Sequence, residues 1–148
     1  MVKVVPIKGR RLKFVRLEVS HNQYKKWRAV FQDITTKKLY VRDFGGKHID
    51  GEDYIDYTKD PPATDKQRAE YRRRHGKDVT KAEKEAKEHD DELYLATPGM
   101  LSMFLLWGDT HDLKKNMVQW RNKYLNGNFL KEEHQSPHLE ISNELVKE

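Results

Sequence analysis

The chain has no cysteine among its 148 residues. That absence removes disulfides, thiolate zinc sites and cysteine nucleophiles together, and it fits a reducing compartment. Long apolar runs are missing too. The longest, residues 103–107 with their neighbours, falls well short of the roughly 18 residues that span a bilayer, so no membrane span is expected. Residues 1–6 lack the apolar core of a signal peptide. Apolar residues are scarce at 36%, equal to the charged fraction. This balance predicts one compact core with polar extensions.

Motifs for chemistry are also missing. The sequence has no P-loop, no G-x-G-x-x-G, no G-x-S-x-G and no H-E-x-x-H. His134 and His138 stand four apart but flank Pro137, and solvent exposure explains the histidines better than metal binding. The acidic loop Asp50, Glu52, Asp53, Asp56 and Asp60 departs from the ligand offsets of an EF-hand. The serines have no recognisable base partner. No catalytic residue, metal ligand or cofactor is expected.

Charge is plentiful and unevenly spread. The net charge is +5, yet residues 1–47 hold thirteen Lys and Arg against three Asp and Glu. A basic N-terminal third attracts nucleic acid, an anionic surface or an acidic protein. Equally, strands carry Lys and Arg on solvent faces to blunt edge pairing. The cations expected to meet a partner are Lys8, Arg10, Arg11, Lys13, Arg28, Arg72 and Arg73.

The hydrophobic pattern predicts an α+β fold. Residues 11–18 are rich in strand formers but alternate imperfectly, with Leu12, Phe14 and then Val15 or Leu17 turned to a core. Residues 27–33 and 38–44 alternate better, and the short 34–37 link suits a hairpin. Together they read as a three-stranded antiparallel meander that ends at Gly45-Gly46, where positive φ is expected. A loop over 48–64 holds Tyr54 and Tyr57, which should dock on the core. A helix over 65–75 is expected with Asp65 as N-cap and Gly76 beyond its end. Residues 78–92 are almost all charged or alanine and read as a solvated helical insertion without an apolar stripe.

Thr97-Pro98 opens a buried helix over 98–107, and Asp109 or Thr110 caps a last helix to Tyr124. In that last helix Leu113, Met117, Trp120 and Tyr124 form one face. The expected architecture is therefore a small β-meander packed against a C-terminal helical pair, with a charged helical insertion and extended termini. One domain covers 1–125, including an N-terminal arm over 1–10, and a C-terminal arm covers 126–148. Trp27, Phe31, Tyr40, Phe104, Trp107 and Trp120 should meet in one core.

Three stretches, taken in order, carry a resemblance. They are Trp27-Arg-Ala-Val-Phe-Gln-Asp with Val41-Arg-Asp-Phe-Gly-Gly, Asp56-Tyr-Thr-Lys-Asp-Pro with Tyr71-Arg-Arg-Arg-His75, and Thr97-Pro-Gly-Met-Leu-Ser-Met-Phe-Leu-Leu-Trp-Gly108. This order resembles a family of small uncharacterised proteins of nucleocytoplasmic large DNA viruses, over about residues 24–125. The resemblance implies a protein of the virion, or of the virus factory in the host cytoplasm, and assigns no catalytic residue. The expected role is a minor capsid (cement) protein that bridges capsid subunits or other virion proteins. The alternative is a nucleic-acid-binding virion or factory protein. An enzyme without a recognisable motif is the weakest reading. Within the pattern, Tyr71, Arg74 and His75 share a helix face, so Arg74 should pair with Asp56 or Asp60 while Arg72 and Arg73 point outward.

Overall fold

The computed structural model describes residues 9–131, so Lys8 and the chain from 132 onward lie outside the described residues. The fold is α+β. Three strands, β1 (Leu12–Val19), β2 (Lys25–Asp33) and β3 (Leu39–Gly46), form an antiparallel sheet in the order β1-β2-β3. Asp33 sets the hairpin between β2 and β3. Its carboxylate accepts the Thr35 N–H at 2.9 Å, and Lys37 takes a positive φ of 66°.

The imperfect alternation of β1 has a physical cause. Leu12 to Phe14 pair with Asp33 to Phe31, but Arg16 pairs with Val30, so Val15 is an extra, bulged residue. The bulge resets the alternation. Phe14 before it and Leu17 after it both pack on the core, and Val15 is left exposed. Cross-strand partners share a face, so the opposite face carries Lys13, Gln32 and Leu39 in one row and Arg16, Val30 and Val41 in the next. Gly45 has φ +79°, the positive value expected where the chain leaves β3.

The 65–75 helix does not stop at Gly76. It runs on through the charged segment as a single 25-residue helix, α1 (Asp65–His89). Thr64, not Asp65, is the N-cap, in a capping box with Gln67. An interior glycine costs about 1 kcal/mol relative to alanine, and packing on both sides of it overrides that penalty. The inner stripe is Arg68, Arg72, His75, Val79, Ala82 and Ala86, at spacings of four, three, four, three and four. Ala82 and Ala86 are buried in the core. The charged segment therefore does carry a packing stripe, one built from small residues. α1 ends at Asp90, in the left-handed conformation.

A 3₁₀ turn (Glu92–Leu95) leads to α2 (Pro98–Leu101), capped by Thr97 with Pro98 at its first position, as expected. The second half of that buried segment is a π-helical turn, Ser102–Leu106, closed by the Trp107 N–H on the Ser102 carbonyl at 3.1 Å. The last helix, α3 (Leu113–Tyr124), is capped by Asp112 rather than Asp109 or Thr110. Buried Asn116 explains the shift. Its amide donates to the Leu105 and Thr110 carbonyls, both at 2.9 Å, and its oxygen accepts from Thr110. Residues 108–112 thus form a hydrogen-bonded loop between π-turn and helix. Gly108 is required there, since a Cβ would lie 2.2 Å from the Phe104 carbonyl oxygen.

The six expected aromatics all belong to one core. Phe31, Trp107 and Trp120 are buried in it, and Trp27, Tyr40 and Phe104 pack at its margin. Phe31 and Trp120 meet at 5.8 Å between ring centroids. Residues at the inner margins of the expected arms pack on the fold. Arg10 is tied to Asp91 and Arg11 to Asp90, and Leu130 is buried beyond the end of α3. Fully buried Glu92 joins these ends. Its carboxylate accepts the backbone N–H of Leu12 at 2.6 Å, of Asn126 at 3.0 Å and of Gly127 at 2.6 Å.

Candidate functional site

The exit of β3, the following loop, the first half of α1 and the π-turn enclose an open groove of about 530 Å³. Its walls draw on four of the stretches singled out in the sequence, Gly45 and Gly46 from 41–46, Asp56 from 56–61, Tyr71, Arg74 and His75 from 71–75, and Ser102 and Trp107 from 97–108, while the 27–33 stretch lies outside it. These segments lie up to about sixty residues apart in the chain, and the fold brings them to one place. The volume is in the range of ligand pockets.

At the floor lies a buried ion pair. The Lys26 ammonium donates to Asp56 Oδ2 and to the Tyr54 carbonyl, both at 2.5 Å, with side-chain exposures of 5% for Lys26 and 1% for Asp56. The second Asp56 oxygen accepts the Thr58 N–H and hydroxyl at 2.7 and 2.6 Å. This pairing holds the loop against the sheet, helped by the Tyr57 N–H on the Leu106 carbonyl. Tyr57 docks as expected, with its hydroxyl donating to Asp65 at 2.6 Å and its ring 3.9 Å from His111. Tyr54 remains half-exposed and covers Gly46, where a Cβ would clash with its ring at 2.8 Å.

The helix wall is aromatic. Tyr71 stacks on Trp107 at 4.5 Å and lies 4.3 Å from His75. Burial pushes the Tyr71 hydroxyl above the ordinary tyrosine pKa, and Ser102 pulls the other way. The Tyr71, Arg74 and His75 face does look toward the aspartate-tyrosine loop, but Arg74 is exposed and pairs with neither Asp56 nor Asp60. Lys26, on the neighbouring strand, takes Asp56 instead. A strand lysine reaches the buried carboxylate without losing the helix face to water.

The seven expected partner-facing cations divide sharply. Arg10, Arg11 and Arg28 form ion pairs with Asp91, Asp90 and Asp43. Arg28, with Ser20, holds the Asp43 carboxyl below the ordinary aspartate pKa. Arg72 does not point outward. It donates to the Met103 and Trp107 carbonyls at 3.3 and 2.8 Å and lies over the Phe104 ring. Burial lowers its pKa. The cause is the π-turn, whose last carbonyls have no helical donor and draw cations. Arg68, unremarked in the sequence, serves the same end through the Gly108 carbonyl and Asp109. Lys13 and Arg73 are exposed as expected, and Lys8 lies outside the described residues.

A row of cations with few ion-pair partners lies on another surface. Lys66, Arg73, Lys77, Lys81 and Lys84 are exposed on the outer side of α1. Among the described residues only Lys84 has an ion-pair partner, Glu88 at 3.9 Å. At 1.5 Å per residue this ridge spans about 27 Å.

Among the described residues no group of three or more His, Asp or Glu is placed to hold a metal ion, and no helix is long and apolar enough to cross a membrane. No family model, curated protein or solved structure matches the chain.

Proposed function

We propose that the protein is a non-enzymatic structural component of a large DNA virus particle, a minor capsid protein that holds neighbouring capsid subunits together. The observation that carries this reading is the groove. It gathers residues of four motif stretches on an open surface, while the charged groups at its floor are tied to each other. Lys26 and Asp56 are buried and paired, and the Ser102 hydroxyl interacts with Tyr71. Such a site is suited to contact, since a general base or nucleophile needs a free, tuned group within reach of the reacting atom. Its place of action is then the virion, reached through the host cytoplasm during assembly. The test is location. Stoichiometric density on the inner face of the shell of purified particles is the expected result. Recovery with genomic DNA alone, or absence from particles, overturns the proposal.

The ridge on α1 favours a second reading, nucleic-acid binding. Its cations lie along one helix and, among the described residues, only Lys84 has an ion-pair partner, which leaves the others for phosphate. The tested residues are then Arg73, Lys77 and Lys81, because reversing Arg10, Arg11 or Arg28 would first break internal ion pairs. DNA retardation at low salt that fades steeply as salt rises, and is lost in the triple charge reversal, supports this reading. No retardation at low salt removes it.

A further inference from the structure

Among the described residues the order β1-β2-β3 leaves one side of β1 without a strand partner. Arg11 turns its carbonyl inward, to the Ile34 N–H at 2.9 Å. Leu12 turns its N–H outward, to Glu92. Backbone direction alternates along a strand, so the Leu12 carbonyl and the Phe14 N–H and carbonyl face the open edge. Beyond them the Val15 bulge interrupts the regular edge.

A second groove of about 400 Å³ runs beside this edge, between β1 and the end of α3. Leu12, Phe14, Ile34 and Leu125 line it with apolar surface. Its polar residues are Lys13, Arg121 and three asparagines, and among the described residues no carboxylate lines it. Neither Lys13 nor Arg121 has an ion-pair partner among the described residues.

We propose that this edge and groove bind an extended, acidic segment of a partner polypeptide, which adds to the sheet as a short fourth strand. Edge N–H and carbonyl groups are a template for such pairing, and alternate side chains decide its specificity. One face of the added strand lies over Leu12, Phe14 and Leu125 and takes apolar side chains. The other runs beside Lys13, where Glu or Asp is favoured. Arg121 and the asparagine amides, on the far wall, meet backbone carbonyls or a second carboxylate. A basic segment is rejected by two cations that, among the described residues, have no ion-pair partner and no acid between them. Lys13, one of the cations expected from the sequence to meet a partner, thereby acquires a specific role. The proposal does not depend on the virion reading, and its failure would leave that reading intact.

The test titrates the full-length, ¹⁵N-labelled protein with the peptide acetyl-Val-Glu-Val-Glu-Val-amide and with its lysine counterpart. The expected result is saturable shifts at the Phe14 and Asn126 amides, slowed hydrogen exchange at Phe14, and no response to the lysine peptide. Lys13→Glu with Arg121→Glu should weaken binding at least about tenfold, the loss of two charge pairs. Absence of saturable shifts, an equal response to both peptides, or shifts confined to Gly46 and Ser102 in the other groove would each overturn the proposal. So would binding that appears only after residues 132–148 are removed, because the chain itself would then fill the site. The peptide comparison needs no variant, so misfolding of the double substitution leaves the test intact.

Discussion

Replacing Glu92 with glutamine tests how the two ends of the fold are held. In the native chain Oε1 accepts from Leu12 and Asn126 while Oε2 accepts from Gly127. Glutamine keeps the first oxygen but sets an amide N–H₂ against the Gly127 N–H. Two buried donors then lack acceptors, each costing about 1–3 kcal/mol. Relief from burying a charge offsets part of this, leaving a net loss of about 2 kcal/mol at neutral pH. For a chain of this size that lowers the melting temperature by roughly 4–8 °C.

The pH dependence of that loss has a definite sign. Burial raises the Glu92 carboxyl above the ordinary glutamate pKa, against the pull of the three N–H groups. A carboxyl raised on folding contributes stability that is complete below its unfolded pKa and lost as pH rises through its folded value. Glutamine does not titrate, and the other carboxylates are common to both proteins. The gap between wild type and Glu92→Gln should therefore narrow as pH rises from about 4 to about 7. Urea unfolding followed by tryptophan fluorescence across that range measures it, with the exposed Glu88→Gln as a control expected within about 0.5 kcal/mol of wild type. A variant as stable as wild type at neutral pH, or a gap that widens as pH rises, would refute the reasoning.

Trp107→Ala removes the ring stacked on Tyr71 and should destabilise by about 3–5 kcal/mol in thermal or urea unfolding; unchanged melting would contradict its place in the core. Arg72→Ala deprives the Met103 and Trp107 carbonyls of a charged donor and should cost about 1–3 kcal/mol, whereas exposed Arg73→Ala should stay within about 0.5 kcal/mol. Equal effects of the two would mean that the helix is rotated from the described orientation. Lys26→Met leaves Asp56 buried without its cation and should cost about 3–5 kcal/mol. Adding Asp56→Asn should recover part of that loss in a double-mutant cycle, and strict additivity would show that the pair is not coupled.

The meander, the buried 98–107 segment and the amphipathic last helix were legible because their signals are local. Period-two apolar runs, a Thr-Pro start and the 113, 117, 120, 124 spacing need no knowledge of the rest of the chain. The unity of α1 was not legible, because its inner stripe reads in sequence as Arg, Arg, His, Val, Ala, Ala. Two of those arginines are packing residues only because a π-turn forty residues later leaves carbonyls for them to cap. The same holds for charge. Composition located thirteen cations in the first third of the chain, but Arg10, Arg11 and Arg28 find carboxylates only when the chain folds back on itself. The exposed basic ridge lies instead on a helix from the acidic remainder. The sequence by itself determined the strands, the last helix and the identity of the core aromatics, since these follow from the spacing of neighbours. Only the tertiary structure decided which cations are neutralised and that four of the motif stretches share one groove. Pairing at that range depends on where whole elements pack, and no local pattern encodes it.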